Sequence, residues 1–225
     1  MRRARAGRAT ELEYRVLRPD GSDRWLLGRR AVTIGSDGSE RVHGTVEDIS
    51  SRMAVEDELQ QAARRDPLTG LSNRRGFEYD FERTLAYATR YGRSGAVLVI
   101  DLDGFKAVND TLGHEAGDKL LSGIAAGFQK RLRASDLVSR LGGDEFAAVL
   151  VEVTPSEAER VAGDLRALVR EQGLAASGED VVTASIGMAH FDGVTNQRDL
   201  LNRADQAMYE AKRGGGDQVQ AAAPA

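Results

Sequence analysis

Two short clusters of carboxylates have the residue types and the spacing of a metal site. The apolar run Ala96-Val-Leu-Val-Ile100 directly precedes Asp101, which should therefore lie at the C-terminal end of a buried strand. The second cluster, Gly142-Gly-Asp-Glu-Phe146, places Asp144 and Glu145 at a predicted hairpin turn. Carboxylates are the ligands that Mg²⁺ prefers, so Asp101 and Asp144 on neighbouring strands predict a metal site.

The residues around these carboxylates indicate a phosphate-bearing ligand. Gly142 and Gly143 let the backbone approach a phosphate and turn N–H groups toward it. Carboxylates repel a phosphate unless a metal ion lies between them. Lys106 and Lys212 have the charge to hold a triphosphate. Each feature also has an ordinary explanation, because Gly-Asp turns are commonly solvated and a lysine at a helix C-terminus interacts favourably with the helix dipole.

The composition narrows the class of protein. The chain has 225 residues, 41% of them hydrophobic, and a net charge of −4. This charge argues against a nucleic-acid or membrane-surface binder. The absence of cysteine excludes disulfides, thiolate metal sites and a cysteine nucleophile. The apolar runs are strand-sized, so we expect no membrane span, and residues 1–10 are expected to be a disordered basic start.

The elements that must position these residues fall into three parts. Residues 11–50 read as short strands over 11–17, 24–27, 31–34 and 43–49, too small a piece for a large core of its own. Residues 51–66 read as an amphipathic linker helix with Val55, Leu59 and Ala62 on one face. That helix either packs on its own chain or pairs with a second copy as a parallel coiled coil.

From residue 66 onward the pattern is mixed α/β. Apolar residues at helical spacing predict four helices, and runs of apolar residues bounded by turn signals predict strands between them. We predict a helix N-cap at Ser156. The predicted helices span 76–91, 117–132, 156–172 and 200–212, and the predicted strands span 96–102, 137–141, 146–151, 181–191 and 218–222.

Four motifs in this region together resemble the GGDEF family of diguanylate cyclases. They run from Asp66 to Arg74, from Asp101 to Asp118, from Arg140 to Phe146 and from Ala204 to Lys212. Their sequences are DPLTGLSNR, DLDGFKAVNDTLGHEAGD, RLGGDEF and ADQAMYEAK. The resemblance covers about residues 66–220. It implies an α/β (α+β) fold with a central, mostly antiparallel sheet flanked by helices, like the palm of nucleotide cyclases and polymerases.

The resemblance also implies an activity and a cofactor. The domain would condense two GTP molecules into cyclic di-GMP with release of pyrophosphate, using Mg²⁺, with Mn²⁺ as an alternative. Asp101, the Leu102 carbonyl and Asp144 would bind the metal, and Asp144 and Glu145 would form the essential acidic pair. Asn109 and Asp118 would read guanine, since Asp accepts from its N1–H and N2–H₂ edge and Asn can meet its O6. The other implied substrate contacts are Phe105, Lys106, His114, Gly143 and Lys212.

An inhibitory product site and one departure from the family pattern concern other residues. Arg133-Ala-Ser-Asp136 matches the family's Arg-x-x-Asp site for cyclic di-GMP, although such a sequence alone is commonly a surface pair. The family usually ends its last helix with Ala-Lys-x-x-Gly-Arg-Asn. Here Gly216 stands where the phosphate-binding Arg is expected, and Asp217 stands where the Asn is expected.

The N-terminal part resembles the C-terminal half of a PAS sensor domain, through Tyr14–Gly21, Trp25 and Gly44–Ile49. The strands and helices that would enclose a ligand are missing, so we expect no bound haem, flavin or small ligand. The resemblances imply a cytoplasmic homodimer, joined by the linker helix and by facing catalytic domains, with GTP as substrate and no nucleic-acid partner.

Two other functions compete with the cyclase interpretation. One is a catalytically weak module that acts as a cyclic di-GMP or GTP receptor; the intact Gly-Gly-Asp-Glu-Phe argues against it and Gly216 weakly favours it. The other is a phosphodiesterase. The sequence has no Glu-x-Leu or His-Asp metal-ligand cluster, and its three histidines are too scattered to form one.

Overall fold

The computed structural model describes residues 10–34, 36, 38–55, 63–177, 182–192 and 196–223. The chain divides into two compact units, residues 1–62 and 63–225. This division lies close to the expected start of the C-terminal domain at residue 66. The expected disordered start and the seam residues Leu59 and Ala62 fall outside the described residues, apart from Thr10, which begins the first strand.

The N-terminal unit contains a three-stranded antiparallel sheet of β1 (Thr10–Leu17), β2 (Asp23–Ile34) and β3 (Glu40–Asp48). The turn between β1 and β2 is closed by Asp20, whose carboxylate accepts from the Ser22 N–H at 2.8 Å. The predicted separate strands 24–27 and 31–34 are wrong. They form one strand, because β2 pairs with β1 over Asp23–Arg30 and with β3 over Leu26–Ile34 without interruption.

This unit buries few side chains. Leu27, Val32 and Ile49 are its buried apolar residues among those described. Residues 50–55 begin a helix, as the linker prediction requires, and Val55 is exposed. The helix does not reach residue 66, since residues 63 and 64 form a turn and Arg65 bridges to Ser72.

The C-terminal unit is built on a five-stranded sheet in the order β5-β6-β4-β7-β8. Among the strand pairs of the described residues, the short last pair is parallel and the other three are antiparallel, so the predicted mostly antiparallel sheet is confirmed. The strands are β4 (Gly95–Asp103), β5 (Leu137–Gly142), β6 (Glu145–Val151), β7 (Thr183–Phe191) and β8 (Val219–Ala221).

Helices cover both faces of this sheet. The helices within the described residues of this unit are α1 (Arg74–Tyr91), α2 (Phe105–Leu112), α3 (His114–Arg131), α4 (Pro155–Ser177) and α5 (Gln197–Arg213). On one face α2, α3 and α4 pack against the side chains of β4 at even positions, Leu98 and Ile100 among them. On the other face α1 and α5 pack against the odd positions Val97 and Val99. The predicted α/β fold, a central sheet with flanking helices, is therefore confirmed.

Two helix predictions need correction. Helix α2 was not predicted, because its eight residues are too few to show a clear helical period. The predicted Ser156 N-cap of α4 is wrong. Thr154 caps this helix with Glu157 in a reciprocal arrangement: Thr154 Oγ1 accepts from the Glu157 N–H, and Glu157 Oε2 accepts from the Thr154 N–H. Within the described part of the chain, no helix combines the length and the apolar character needed to cross a membrane.

Candidate active site

Asp101 lies near the C-terminal end of β4, the central strand of the sheet. In the strand register it stands opposite Glu145 of β6 on one side and Ser185 of β7 on the other. The Leu102 N–H donates to the Asp144 carbonyl at 3.2 Å. The predicted neighbouring-strand arrangement of Asp101 and Asp144 is therefore present, since Asp144 lies in the turn between β5 and β6.

The Asp101 carboxylate is buried, and both its burial and two neighbouring carboxylates disfavour its charged form. Burial raises the pKa of Asp101 above its usual range, Lys212 partly lowers it, and Asp144 and Glu145 raise it further. The Lys212 ammonium lies 2.6 Å from Asp101 Oδ1. The two groups form an ion pair that favours the charged carboxylate, and Oδ1 makes no other polar contact among the described residues.

These residues fit a divalent metal ion. A buried carboxylate oxygen without a hydrogen bond is the kind of atom that a cation satisfies. Asp101 and Asp144 would supply carboxylates, and the strand end would supply the Leu102 carbonyl as a third oxygen. The described residues contain no cluster of three or more His, Asp or Glu side chains arranged as metal ligands. The protein would therefore provide only part of the coordination shell.

The hairpin that carries Asp144 is fixed by Arg140. The guanidinium donates to the Gly143 carbonyl from Nε at 2.9 Å and from Nη2 at 2.7 Å. Arg140 Nη1 donates to Asp66 Oδ1 at 3.2 Å, and both side chains are largely buried. Gly143, which was predicted to contact substrate through its backbone, is thus held by one arginine in place beside Asp144.

Asp66 is the hub of the loop that opens the C-terminal unit. Its Oδ1 also accepts from the Thr69 N–H at 2.9 Å and from the Thr69 hydroxyl at 2.6 Å. Burial would raise the pKa of Asp66, but these hydrogen bonds and Arg140 outweigh it and lower the pKa. Asp66 is therefore held as a carboxylate that ties this loop to the Asp144 hairpin.

Glu145 is held by an arginine on a different element. Arg74, the first residue of α1, donates to Glu145 Oε2 at 3.1 Å. The pair borders a cleft of about 830 Å³ between α1 and α5. Glu145 and Asp144, although adjacent in sequence, therefore have different surroundings, and Arg74 fixes the direction of the Glu145 carboxylate.

The two predicted guanine-reading residues lie on successive helices. Asn109 is on α2 and Asp118 is on the first turns of α3, and Gly113 joins the two helices. A side chain at Gly117 would clash with Asn109 Oδ1, so the glycine is what lets Asn109 lie against α3 beside Asp118. His114 is exposed at the start of α3, and Phe105 is buried at the start of α2.

The predicted phosphate-contacting lysines approach from two elements. Lys106 is exposed on the first turn of α2, and Lys212 is in the last turn of α5, in contact with Asp101. The structure explains why Gly216 cannot simply be read as a missing arginine. Its φ of +73° is one that side chains rarely adopt, and a Cβ there would lie 3.1 Å from Asp103 Oδ2.

The turn after α5 is anchored by Asp103 and Asp217. Asp103 Oδ2 accepts from the Asp217 N–H at 3.0 Å, and Asp103 Oδ1 accepts from the Ser185 hydroxyl at 2.8 Å. The Asp217 carboxylate in turn pairs with Arg166 and Arg170 of α4. Asp217, where the family pattern has Asn, thus joins the turn to α4 through two ion pairs.

The predicted product site lies at the far end of β5. Arg133 lines a cleft of about 600 Å³ together with residues of α1 and β6. Asp136 is committed to the local turn: Oδ2 accepts from the Arg133 N–H at 2.9 Å and Oδ1 from the Val151 N–H at 3.3 Å. The two residues are therefore adjacent, with Arg133 facing the cleft and Asp136 shaping the loop.

Sequence reasoning assigned no role to Asp66, Arg74, Asp103 or Arg140. All four lie within or directly beside the quoted motifs, and that position was the available signal. Their partners are far away in sequence, 74 residues for the Asp66–Arg140 pair and 71 for the Arg74–Glu145 pair. A single sequence does not reveal such partners.

Comparison with known proteins decides the family. The profile described as "Diguanylate cyclase, GGDEF domain" matches residues 63–218, which include every site residue described above. The chain belongs to the GGDEF family of diguanylate cyclase domains. Its GGDEF domain is similar to that of the diguanylate cyclase DosC of Escherichia coli K12, with 44% identity over 157 residues, 69% of this chain and 34% of DosC.

Two further relatives extend the comparison. The diguanylate cyclase DgcP of Pseudomonas aeruginosa is 36% identical over 184 residues, 81% of this chain and 27% of DgcP. The structure of the coiled coil and GGDEF domain of DgcB from Caulobacter crescentus, in complex with c-di-GMP, is 29% identical. It superimposes with a TM-score of 0.67 over 76% of this chain and 94% of that one. The chain spans about a third of the length of the curated relatives it matches.

Proposed function

We propose that the GGDEF domain of this chain is a diguanylate cyclase that condenses two GTP molecules into cyclic di-GMP. The observation that carries this proposal is the end of β4, where buried Asp101 lies beside the Asp144 turn and in contact with Lys212. This arrangement supports a metal site at these carboxylates, next to a cation suited to a triphosphate. Membership of the family and the similarity to named diguanylate cyclases support it.

The proposed reaction is an in-line displacement that occurs twice. The 3′-hydroxyl oxygen of one GTP forms a bond to the α-phosphorus of the other, and the bond from that phosphorus to the bridging oxygen breaks. Pyrophosphate leaves with the bonding electron pair. The second displacement closes the ring, so two GTP give one cyclic di-GMP and two pyrophosphates.

Each predicted site residue has a proposed role in this reaction. Bound to Asp101, the Leu102 carbonyl and Asp144, Mg²⁺ or Mn²⁺ would neutralise charge that develops on the phosphates. Lys106 and Lys212, with backbone N–H groups around Phe105, would hold the triphosphate, while Asn109 and Asp118, supported by His114, would bind the guanine base. Glu145, oriented by Arg74, is the proposed acceptor of the hydroxyl proton.

Product inhibition is proposed at the cleft beside Arg133. An arginine can grip the O6 and N7 atoms of guanine with two hydrogen bonds or stack on its face. The cleft of about 600 Å³ is open at Arg133, and Asp136 positions the loop from which that side chain extends. The DgcB neighbour is a complex with c-di-GMP, which fits a product-binding role for this fold.

Two subunits are needed because one domain holds one GTP in this scheme. We propose a homodimer that brings two sites face to face, with residues 51–66 as the linker and the N-terminal unit as part of a PAS-like sensor. The support is the three-stranded antiparallel sheet of that unit and the helix that begins at residue 50.

The experiment that tests the function is conversion of GTP by the purified chain. Cyclic di-GMP and pyrophosphate are measured with and without Mg²⁺ over a range of protein concentrations. The proposal requires product only with the metal, and a specific activity that rises with protein concentration until dimers saturate. Binding of GTP without any product would instead support the receptor function.

A further inference from the structure

Lys212 already provides a positive charge at Asp101. Its Nζ lies 2.6 Å from Asp101 Oδ1, an oxygen that is fully covered and has no hydrogen-bond partner among the described residues. The pair combines a nearly buried carboxylate with a lysine side chain that is 39% exposed. The ammonium therefore reaches Asp101 from the solvent side of the site.

The protein alone offers few ligands at this point. Two carboxylates and one carbonyl are fewer than the six oxygens that Mg²⁺ prefers, and the described residues hold no larger acidic cluster there. Mg²⁺ in such sites usually shares its coordination with phosphates of the substrate. A metal ion must also compete with Lys212 for Asp101, and this competition weakens its binding further when no nucleotide is present.

The Lys212 side chain is partly exposed, and the helix end that carries it is held in place. The carbonyl of buried Ala211 accepts from the Gly216 N–H at 3.1 Å and from Gln218 Nε2 at 2.7 Å. These bonds hold the end of α5, while the partly exposed Lys212 side chain has other rotamers available once another cation replaces it at Asp101. Its ammonium can therefore leave Asp101 without any movement of the helix.

We propose that Lys212 is a placeholder cation: in the nucleotide-free domain it occupies the position on Asp101 that the metal ion takes, and it moves to the triphosphate when the two bind together. This inference rests on the proposed function in taking the ligand as a metal–nucleoside triphosphate complex. It requires that the metal ion alone binds weakly and that metal and nucleotide strengthen each other's binding.

The test measures Mn²⁺ affinity at pH 8 without nucleotide, from the electron paramagnetic resonance signal of free Mn²⁺. Lys212→Met should bind Mn²⁺ about tenfold more tightly than the wild type, the size expected when a half-exposed competing charge is removed. Lys212→Gln, which keeps the side-chain length, should behave in the same way. Asp101→Asn should bind most weakly, which assigns the signal to this site.

Lys106→Met is the matched control. Lys106 is also assigned to the triphosphate, but it is exposed on α2 and has no ion pair with Asp101 among those described. Its Mn²⁺ affinity without nucleotide should equal that of the wild type. If the Lys212 variants bind Mn²⁺ no more tightly than the wild type, or if Lys106→Met tightens binding equally, the placeholder role is wrong.

A second measurement separates this inference from the proposed function. The gain in Mn²⁺ affinity on adding the α,β-methylene analogue of GTP should be larger in the wild type than in Lys212→Met. An equal gain in the two proteins would overturn the inference even if the wild type makes cyclic di-GMP. A domain that makes no product but shows the expected difference would retain the placeholder and lose the cyclase assignment.

Discussion

Arg140 and Gly143 are joined by two hydrogen bonds, because Nε and Nη2 of one guanidinium donate to the same carbonyl oxygen at 2.9 and 2.7 Å. The remaining nitrogen of that guanidinium donates to Asp66, so one side chain connects the first loop of the domain with the turn that carries Asp144. The position of a predicted metal ligand thus depends on a residue that need not touch metal or nucleotide.

Replacing this arginine while keeping its charge tests that dependence. Arg140→Lys loses the planar fork, since lysine cannot serve Gly143 and Asp66 at once. We expect unfolding free energy to fall by about 1–2 kcal/mol and kcat to fall more strongly than the affinity for GTP. Urea unfolding and steady-state kinetics measure both. Arg131→Lys, at an exposed helix pair with Asp164, is the control and should change stability by less than about 0.5 kcal/mol.

Asp144→Ala should abolish turnover and leave the fold intact. The Asp144 side chain lies at a turn and makes no hydrogen bond or ion pair among the described residues, so its truncation breaks no such contact there. Cyclic di-GMP formation and thermal unfolding should be measured together, with exposed Glu159→Ala as a carboxylate control. Product formation near the wild-type rate would show that Asp144 is not a metal ligand.

Asp101→Asn should have a pH-dependent effect on stability when EDTA removes metal ions. Burial raises the pKa of Asp101 above its value in the unfolded chain, so the folded state binds this proton more tightly. The stability gained from protonation is complete below pH 3.8 and is lost as pH rises through the raised pKa. We therefore expect the variant to be more stable than the wild type at pH 8, with a difference that shrinks toward pH 4. If the difference in stability between variant and wild type grew on acidification, that result would contradict a raised pKa of Asp101 in the folded state.

Asp118→Ala should lose selectivity at the N1–H and N2–H₂ edge of guanine. An unpaired donor in the site costs about 1–3 kcal/mol. Wild type should prefer GTP to inosine triphosphate, which lacks the N2 amino group, and the variant should discriminate much less. The neighbouring exposed Lys119→Ala is the control. Unchanged discrimination by Asp118→Ala in a competition assay would remove Asp118 from the base site.

Arg133→Ala should relieve inhibition by cyclic di-GMP without lowering the initial rate. Arg133 faces the cleft at the start of β5, at the opposite end of that strand from the Asp144 turn. Replacing Arg133 tests the product site better than replacing Asp136. Both Asp136 carboxylate oxygens accept hydrogen bonds from backbone N–H groups, so truncating Asp136 would disturb the loop. Calorimetry that finds unchanged binding of cyclic di-GMP to the variant would exclude this site.

Much of the catalytic unit could be predicted because its elements have strong local signals. The apolar run before Asp101 predicts β4, and the paired glycines predict the hairpin between β5 and β6. Helix α2 was not predicted, because eight residues form only about two helical turns and show no clear periodicity. The Thr154 cap was missed although the sequence Thr154-Pro-Ser-Glu157 carries its signature, since Ser156 offered a competing cap within the same four residues.

The contacts that complete the site could not be predicted from local sequence signals. Lys212 with Asp101, Arg74 with Glu145, and Asp217 with Arg166 each join residues that are far apart in sequence. Whether such residues meet depends on how helices and strands pack, and neither composition nor periodicity carries that information. The residue types predicted which groups can do chemistry, and the packing determines which partners orient them.

The strand β4 positions the acidic residues of the candidate active site. It is paired on both sides without a bulge, and its side chains alternate between two helical layers. Deleting one residue anywhere between Ala96 and Ile100 would turn the acidic end of the strand to the opposite layer, away from α5 and Lys212. A substitution within the strand leaves this alternation unchanged, whereas a change in the number of residues reverses it. Length, more than side-chain identity, is therefore the property of β4 on which the orientation of its acidic end depends.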